Sequence, residues 1–256
     1  MLKAVFSDDY LMVIEKPAGL VVTSSQTTNE KTLEDILKED FNLSLERSGI
    51  VHRLDKDTSG LLLVAKKLEV MQKLQAQFKG RGVKKEYLTL CHGFIEKPGK
   101  IEAFIARNPV NREKFIVQPC KDQPCEAREA VTEYEPKKLL VISSQFMEQI
   151  FEGFSKIQFR KLRTMNYEQF TLLRCFPLTG RTHQIRVHLK YINHPVVGDE
   201  KYAGRKVARL DKRWCPRQFL HAAKLEFTHP ATGERLSFES KLPEDLEKAL
   251  GMLEKA

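Results

Sequence analysis

Short apolar runs typical of buried strands occur along the whole chain, and segments with helical spacing separate only some of them. Residues 11–15 (LMVIE) and 61–65 (LLLVA) predict two buried strands. Further strands are predicted over residues 86–92, 101–106, 130–135 and 170–176. Because strands and helices do not alternate regularly, the pattern excludes a doubly wound fold. It predicts an α+β fold with a large, mostly antiparallel (mixed) central sheet flanked by helices and loops.

Apolar residues at a spacing of three and four predict the helices. Thr32 can cap a helix over residues 33–41, and Gly80 ends a second helix that includes residues 70–78. Two later helices are predicted over residues 185–192 and 246–253. No Gly/Ser-rich or Pro-rich linker divides the chain, so we expect a single domain over residues 1–256, with a probable insertion over residues 137–166.

Composition narrows the classes of protein. The chain of 256 residues has 43 Lys and Arg against 34 Asp and Glu, a net charge of +9. This excess favours a polyanionic partner such as nucleic acid, and a basic solvated surface is the alternative. No apolar run reaches the ~18 residues of a membrane span. Five scattered cysteines predict free thiols in the cytoplasm, although Cys120 and Cys125 could pair or share a metal.

The polar segment HRLDKDTSG, residues 52–60, lies between two apolar runs. Such loops on a rigid scaffold commonly carry catalytic groups, and Asp55 is the candidate here. Asp57, Thr58 and Ser59 have a second explanation, because they can form a polar turn with the local backbone.

Two further segments carry candidate residues. In FPLTGRTHQIRVHL, residues 176–189, Arg181 precedes a predicted helix. His183 and His188 are five residues apart and do not share a helix face, so no metal site is expected. In KEYLTL, Tyr87 lies within a predicted strand, where an isolated tyrosine is usually part of the core.

Six ordered motifs resemble those of the RluA family of pseudouridine synthases. They are KPAGLVV (16–22), HRLDKDTSGLLL (52–63), KEY (85–87), TGRTHQIRVHL (179–189), GDEKYAG (198–204) and LHA (220–222). The resemblance implies the pseudouridine synthase fold. Many members carry an N-terminal RNA-binding domain of the S4 type, which we expect to be absent because the catalytic sequence begins almost at Met1.

The resemblance implies an isomerase that converts specific uridines of ribosomal or transfer RNA to pseudouridine after flipping the base. It makes Asp55 the nucleophile and Arg181 its salt-bridge partner. It places Tyr87 against the flipped base, and Arg53 in the gap left in the RNA. No cofactor, metal, membrane or obligatory protein partner is implied, and we expect a monomer.

The other expected substrate-binding residues are polar side chains in or near these motifs. They are Lys16, His52, Thr182, His183, Arg205, Lys206, Arg209, Arg213 and His221. Residues 205–217 contain six basic residues, one acidic residue and Trp214, which predicts either phosphate contacts or a solvated loop. Residues 137–166 predict either an extra RNA-contacting element or a peripheral helix.

Two competing functions remain open from the sequence. A non-catalytic RNA-binding or ribosome-assembly factor could keep the fold, but Asp55, Tyr87 and Arg181 argue against it. A glycoside hydrolase could use Asp55 and Asp57 as a carboxylate pair. That reading is disfavoured because the two residues are only two positions apart and no sugar-stacking set accompanies them.

Overall fold

The computed structural model describes residues 2–23, 30–119, 126–153 and 167–256. The chain divides into two compact units. The first unit contains Met1–Glu86 and His221–Lys241, and the second contains Tyr87–Leu220 and Leu242–Ala256. The single domain expected over residues 1–256 stays a prediction.

The described strands and helices are numbered here in chain order. The strands are β1 (Lys3–Ser7), β2 (Leu11–Lys16), β3 (Ser59–Ala65), β4 (Lys84–His92), β5 (Gly99–Arg107), β6 (Phe115–Val117), β7 (Arg128–Val141), β8 (Gln169–Pro177), β9 (Leu220–Thr228), β10 (Arg235–Glu239) and β11 (Glu254–Lys255). The helices are α1 (Leu33–Phe41), α2 (Leu68–Lys79), α3 (Ser144–Phe151), α4 (Gln184–Tyr191), α5 (Arg205–Asp211) and α6 (Glu244–Gly251), and a short 3₁₀ helix spans Glu46–Gly49.

Strands of the first unit pair in the order β1-β2-β3-β9-β10. The pairs are antiparallel except β3 with β9, which are parallel through Ser59↔His221 and Gly60↔Ala222. One face of β2 and β3 packs against α2, because alternate strand residues share a face and α2 presents its apolar side to them. Strands and helices thus share one apolar core in this unit.

The two helices of the first unit begin and end as the sequence predicts. Thr32 Oγ1 accepts a hydrogen bond from the Asp35 amide at 3.3 Å, and the Asp35 carboxylate accepts one from the Thr32 amide at 2.8 Å. This reciprocal capping box begins α1. Gly80 follows α2 as its C-cap. The predicted cap residues of both helices are therefore confirmed.

Strands of the second unit pair antiparallel in the order β4-β8-β7-β5-β6, and β11 pairs with β7. The core beneath them contains Phe170 and Trp214, together with apolar residues of α3, α5 and α6. The mixed, mostly antiparallel pairing and the surrounding helices confirm the α+β class. No helix among the described residues is long and apolar enough to cross a membrane.

The predicted insertion divides into three parts. Residues 137–141 continue β7, which bulges between Pro136 and Lys138 and is longer than the predicted strand over residues 130–135. Residues 144–151 form α3, with Met147, Ile150 and Phe151 buried. Phe154, Lys156, Arg160, Lys161 and Arg163 lie outside the described residues. An insertion with a role in RNA contact stays a prediction.

Gly60 allows β3 and β9 to approach closely. Its φ is +117°, and an added Cβ would lie 2.3 Å from the Ala222 carbonyl oxygen. Gly60→Ala should therefore lower the free energy of unfolding by about 2 kcal/mol or more, through backbone strain and steric conflict. Urea unfolding followed by circular dichroism measures this change.

Gly233→Ala is the matched control for Gly60→Ala. Gly233 also has a positive φ, +77°, but an added Cβ there meets nothing within 4 Å. It should cost only the backbone strain. Equal losses in the two variants would contradict the importance of the β3–β9 approach.

Candidate active site

The loop carrying Asp55 leads directly into β3. Leu54 is only 4% exposed and holds the loop against the protein, whereas Arg53 is exposed and Asp55 is partly buried. A turn follows, in which the Thr58 amide donates to the Asp55 carbonyl oxygen at 3.1 Å. This alternation presents the Arg53 side chain to solvent next to the candidate nucleophile.

Lys16 holds the backbone of this loop. The residue is only 1% exposed, and its ammonium donates to the carbonyl oxygens of Pro17, Leu20 and Lys56 at 2.7, 2.9 and 2.9 Å. The Gly19 amide also donates to the Lys56 carbonyl at 2.9 Å. A buried ammonium is tolerated when its donors are satisfied, and these three acceptors match its three donors. The first motif therefore holds the residue that follows Asp55.

His52 connects the loop to β3. Its Nε2 accepts a hydrogen bond from the Leu63 amide at 2.9 Å, and its ring centroid lies 4.8 Å from that of Phe78. Burial lowers the pKa of His52 to about 3, and the nearby charge of Lys85 adds to this effect. His52 is therefore a neutral ring whose acceptor nitrogen is used within the protein.

His221, of the LHA motif, lies on β9 and pairs with Ser59 at the start of β3. It is 2% exposed, its Nδ1 lies 3.0 Å from Ser59 Oγ, and its Nε2 lies 3.2 Å from the Ser240 carbonyl oxygen. Because a carbonyl oxygen only accepts, Nε2 donates to Ser240, and in the neutral ring Nδ1 accepts from the Ser59 hydroxyl. His221 thus holds the first residue of β3, just after the loop.

Lys16, His52 and His221 were expected to bind substrate, and the structure gives each of them a partner within the first unit. These contacts hold the backbone on either side of Asp55. Direct contact of the three side chains with substrate stays a prediction.

Arg181 belongs to the second unit, where Gln184 holds its backbone. The Gln184 side-chain oxygen accepts from Thr179 Oγ1 at 2.6 Å and from the Arg181 amide at 3.0 Å. Its amide nitrogen donates to the Val131 carbonyl and to Thr132 Oγ1, both at 2.9 Å. Arg181 Nε in turn donates to a backbone carbonyl of β7, that of Glu129, at 2.9 Å. The TGRTHQIRVHL motif is therefore held against β7.

Gln184 was missed by the sequence interpretation. A glutamine in the first turn of an amphipathic helix is usually solvated, and only its 4% exposure reveals the network that it forms. Asp199 was missed in the same way. Its carboxylate makes a buried bidentate pair with Arg186, at 2.7 and 2.9 Å, which ties the GDEKYAG motif to α4.

The two histidines of the TGRTHQIRVHL motif lie in different environments. His183 lies just before α4 with φ +56°, and its Nδ1 is 2.8 Å from the Tyr202 hydroxyl. His188 is fully buried, and burial lowers its pKa to about 4. Within the described residues, no three His, Cys, Asp or Glu side chains are arranged to hold a metal ion.

The remaining predicted residues of the second unit lie on different elements. Tyr87 is 9% exposed on β4, opposite Cys175 of β8, and Thr182 is partly buried between Arg181 and α4. Arg205, Lys206 and Arg209 are exposed on α5. This part of residues 205–217 is therefore a helix, whereas a solvated loop was one of the two predictions for it.

The last part of the basic run serves the fold. Arg213 donates to the carbonyl oxygens of Ile150 and Glu152, both at 2.7 Å, at the C-terminal end of α3. Trp214 is 5% exposed and donates to the Tyr167 hydroxyl at 3.2 Å. Its ring is therefore part of the core and does not form an exposed aromatic surface beside the basic residues.

Comparison with known proteins assigns the family. A family model described as RNA pseudouridylate synthase matches residues 10–191, and the chain belongs to that family. Its relatives confirm the RluA-type family that the motifs predicted. The relatives reported next are similar to this chain over almost its whole length.

The protein named ribosomal large subunit pseudouridine synthase D of Nitrosomonas europaea is 40% identical over 255 residues. That match covers 96% of this chain and 63% of the relative, so the chain spans less than two thirds of its length. The protein of the same name from Pseudomonas aeruginosa is 38% identical over 262 residues, covering 98% of this chain and 72% of the relative. The solved structure titled Human RNA Pseudouridylate Synthase Domain Containing 1 has a TM-score of 0.71 at 25% identity, and the match covers 100% of this chain and 89% of that one.

Lys16→Met removes the ammonium, so the Pro17 and Leu20 carbonyls lose this donor while the Lys56 carbonyl keeps the Gly19 amide. Losing these hydrogen bonds should lower the free energy of unfolding by about 1–3 kcal/mol. Urea unfolding measures the loss. The control is Lys56→Met, because the Lys56 side chain is 48% exposed and forms only a surface pair with Glu30, and it should cost less than about 1 kcal/mol. Similar losses would contradict the role given to Lys16.

His52 makes the protein less stable in acid. The pKa of His52 is about 3 in the folded protein and has its ordinary value of 6.5 in the unfolded chain. The unfolded chain therefore binds more protons between these two pH values. Its contribution to stability is complete above pH 6.5 and is lost as the pH falls towards 3. His52→Gln keeps an acceptor but cannot titrate, so its free energy of unfolding should fall less than that of the wild type on acidification. Parallel pH profiles for the two proteins would contradict this assignment.

Proposed function

We propose that this protein is an RNA pseudouridine synthase, an isomerase that acts on uridines of large-subunit ribosomal RNA. The observation that carries the proposal is a complete family catalytic loop whose backbone is held on both sides of Asp55. The ribosomal substrate rests on the names of the relatives, which are synthases of the large ribosomal subunit. Transfer RNA is the alternative substrate that the experiment below includes.

The reaction breaks the bond between N1 of uracil and C1′ of ribose and forms a bond from C5 to C1′. The C5 proton is lost and N1 gains a proton, so no oxidant or reductant is required. A carboxylate suits the nucleophile because it can add and then leave again. Asp55 takes this role, and attack on the sugar and attack on the base are both compatible with it.

Arg181 acts with Asp55 in this proposal. A permanent cation beside a carboxylate favours the ionised form that a nucleophile requires. The family resemblance supports the pairing. The hydrogen bonds of Gln184, which hold the Arg181 backbone, support a positioned rather than a mobile guanidinium.

Base flipping accounts for two further residues. Removing a stacked base costs a few kcal/mol, and a side chain that fills the gap offsets part of it. Arg53 is exposed beside Asp55, as this role requires. Tyr87 is largely buried on its strand, which suits a ring that lies against the base within a pocket.

Sequence-independent affinity comes from phosphate contacts. Arg205, Lys206 and Arg209 are exposed on α5 and are proposed to make such contacts. A monomer in the cytoplasm is part of the proposal. Cys91, Cys175 and Cys215 support that location because they are free thiols in the described part of the chain.

Asp55→Asn keeps the shape of the side chain but removes the nucleophilic anion. Single-turnover formation of pseudouridine should fall to background on a panel of large-subunit ribosomal RNA fragments and transfer RNAs, while RNA binding survives. Arg181→Met should remove most turnover too. The double variant should be little worse than Asp55→Asn alone, because both changes disable one unit.

Asp57→Asn is the matched control, since Asp57 is an exposed carboxylate in the same loop. It should keep most of the turnover, and equal losses at both positions would favour a carboxylate pair instead. Near-normal turnover by folded Asp55→Asn would overthrow the mechanism. RNA binding by the wild type without pseudouridine in any RNA of the panel would favour a non-catalytic RNA-binding factor.

A further inference from the structure

A groove opens in the second unit beside the C-terminal end of α4. It has a volume of about 380 Å³. Phe115 and Val117 of β6 line it, together with Tyr191 and three lysines, Lys114, Lys190 and Lys201. Of these residues, Lys201 belongs to the GDEKYAG motif, and the others lie outside the six family motifs.

Val187 and Tyr191 give the α4 side of this groove two different surfaces. They are four residues apart and therefore share a helix face. Val187 is 3% exposed at the floor of the groove, whereas Tyr191 is 57% exposed. A tyrosine ring is large enough that burial is its usual state, so an exposed ring above an apolar floor suits a planar ligand.

The charge of the groove favours an anion. Three lysines line it, and no acidic residue is among the residues that do. Lys201 meets the exposed carboxylate of Glu113 at 3.4 Å, and a surface pair of this kind is worth little, so a phosphate can replace it. Arg205 and Lys206 follow Gly204, another lining residue, and extend the positive surface.

We propose that this groove binds a single-stranded segment of the RNA substrate, with one base stacked on Tyr191 and phosphates on Lys114, Lys190 and Lys201. This proposal rests on the proposed function, because it takes RNA as the substrate. A positive groove with an exposed aromatic ring is the usual way in which proteins bind single strands without reading their sequence. An acidic peptide would satisfy the lysines but would leave the flat ring and apolar floor without a matching group.

The groove and Arg181 lie at opposite ends of α4. Tyr191 is the last residue of α4, whereas Arg181 and His183 precede the helix. The eight residues from His183 to Tyr191 span ~12 Å at about 1.5 Å per residue, so the groove is separate from the Arg181 end of the helix.

The experiment measures equilibrium binding of a labelled oligouridylate of about 12 nucleotides to the full chain at several salt concentrations. Tyr191→Ala should raise Kd at least fivefold, and Tyr191→Phe should bind like the wild type because it keeps the ring. The double variant Lys114→Gln with Lys190→Gln should reduce the slope of log affinity against log salt by about 1.4.

Two controls match these variants outside the groove. Leu68→Ala removes another side chain that is 57% exposed, and Lys79→Gln with Lys97→Gln removes two exposed lysines. Both should leave Kd within twofold. Circular dichroism checks that each variant is folded. If Tyr191→Ala does not fold, Tyr191→Ser is measured in its place.

The proposal would be overturned if Tyr191→Ala had a Kd within twofold of the wild type and the lysine double variant kept the wild-type salt slope. Stronger competition by polyglutamate than by unlabelled oligouridylate would overturn it in favour of an acidic protein partner. The proposed function has a separate readout. Loss of oligouridylate binding in the groove variants would support the groove proposal even if the wild type formed no pseudouridine. Normal turnover and unchanged binding in these variants would contradict the groove proposal and leave the proposed function intact.

Discussion

The ammonium of Lys16 and its three carbonyl acceptors are the interaction on which the candidate active site depends. A lysine at 1% exposure is stable only where its donors are satisfied, so the backbone from Pro17 to Leu20 and the backbone of Lys56 must keep one geometry. The loop that carries Asp55 therefore has little freedom. For the proposed nucleophile Asp55, a loop held in advance would need no reorganisation when the substrate arrives, which would be the physical advantage of a buried cation in this position.

Other motif residues also hold neighbouring groups in place through hydrogen bonds and ion pairs. His221 orients Ser59, Gln184 holds the backbone of Arg181, and Asp199 holds Arg186 on α4. In each case a polar side chain is buried and fully committed to neighbours, which makes its loss expensive. The motifs thus combine a few residues suited to chemistry, Asp55, Tyr87 and Arg181, with a larger set that holds them.

The positive surface of the second unit has a comparable division. Arg205, Lys206 and Arg209 are exposed on α5, whereas Arg213 satisfies the end of α3 and Trp214 fills the core. An exposed aromatic ring lies elsewhere, at Tyr191, with lysines around it. A count of charges along the chain therefore overstates how much of residues 205–217 is available to RNA and misses the groove.

The sequence by itself determined the family, the α+β class, and most helices and strands. Its motifs are also the source of the residues proposed as nucleophile, cation and base contact. Local patterns carry these features: apolar spacing, the Thr32 cap, Gly80 and the ordered motifs. Only the tertiary structure decided that Lys16, His52 and His221 face protein partners, that α5 replaces a loop, and that Trp214 is buried while Tyr191 is exposed. These outcomes depend on which distant segments meet, such as Lys16 with Lys56 or Ser59 with His221, and spacing along a single chain does not contain that information.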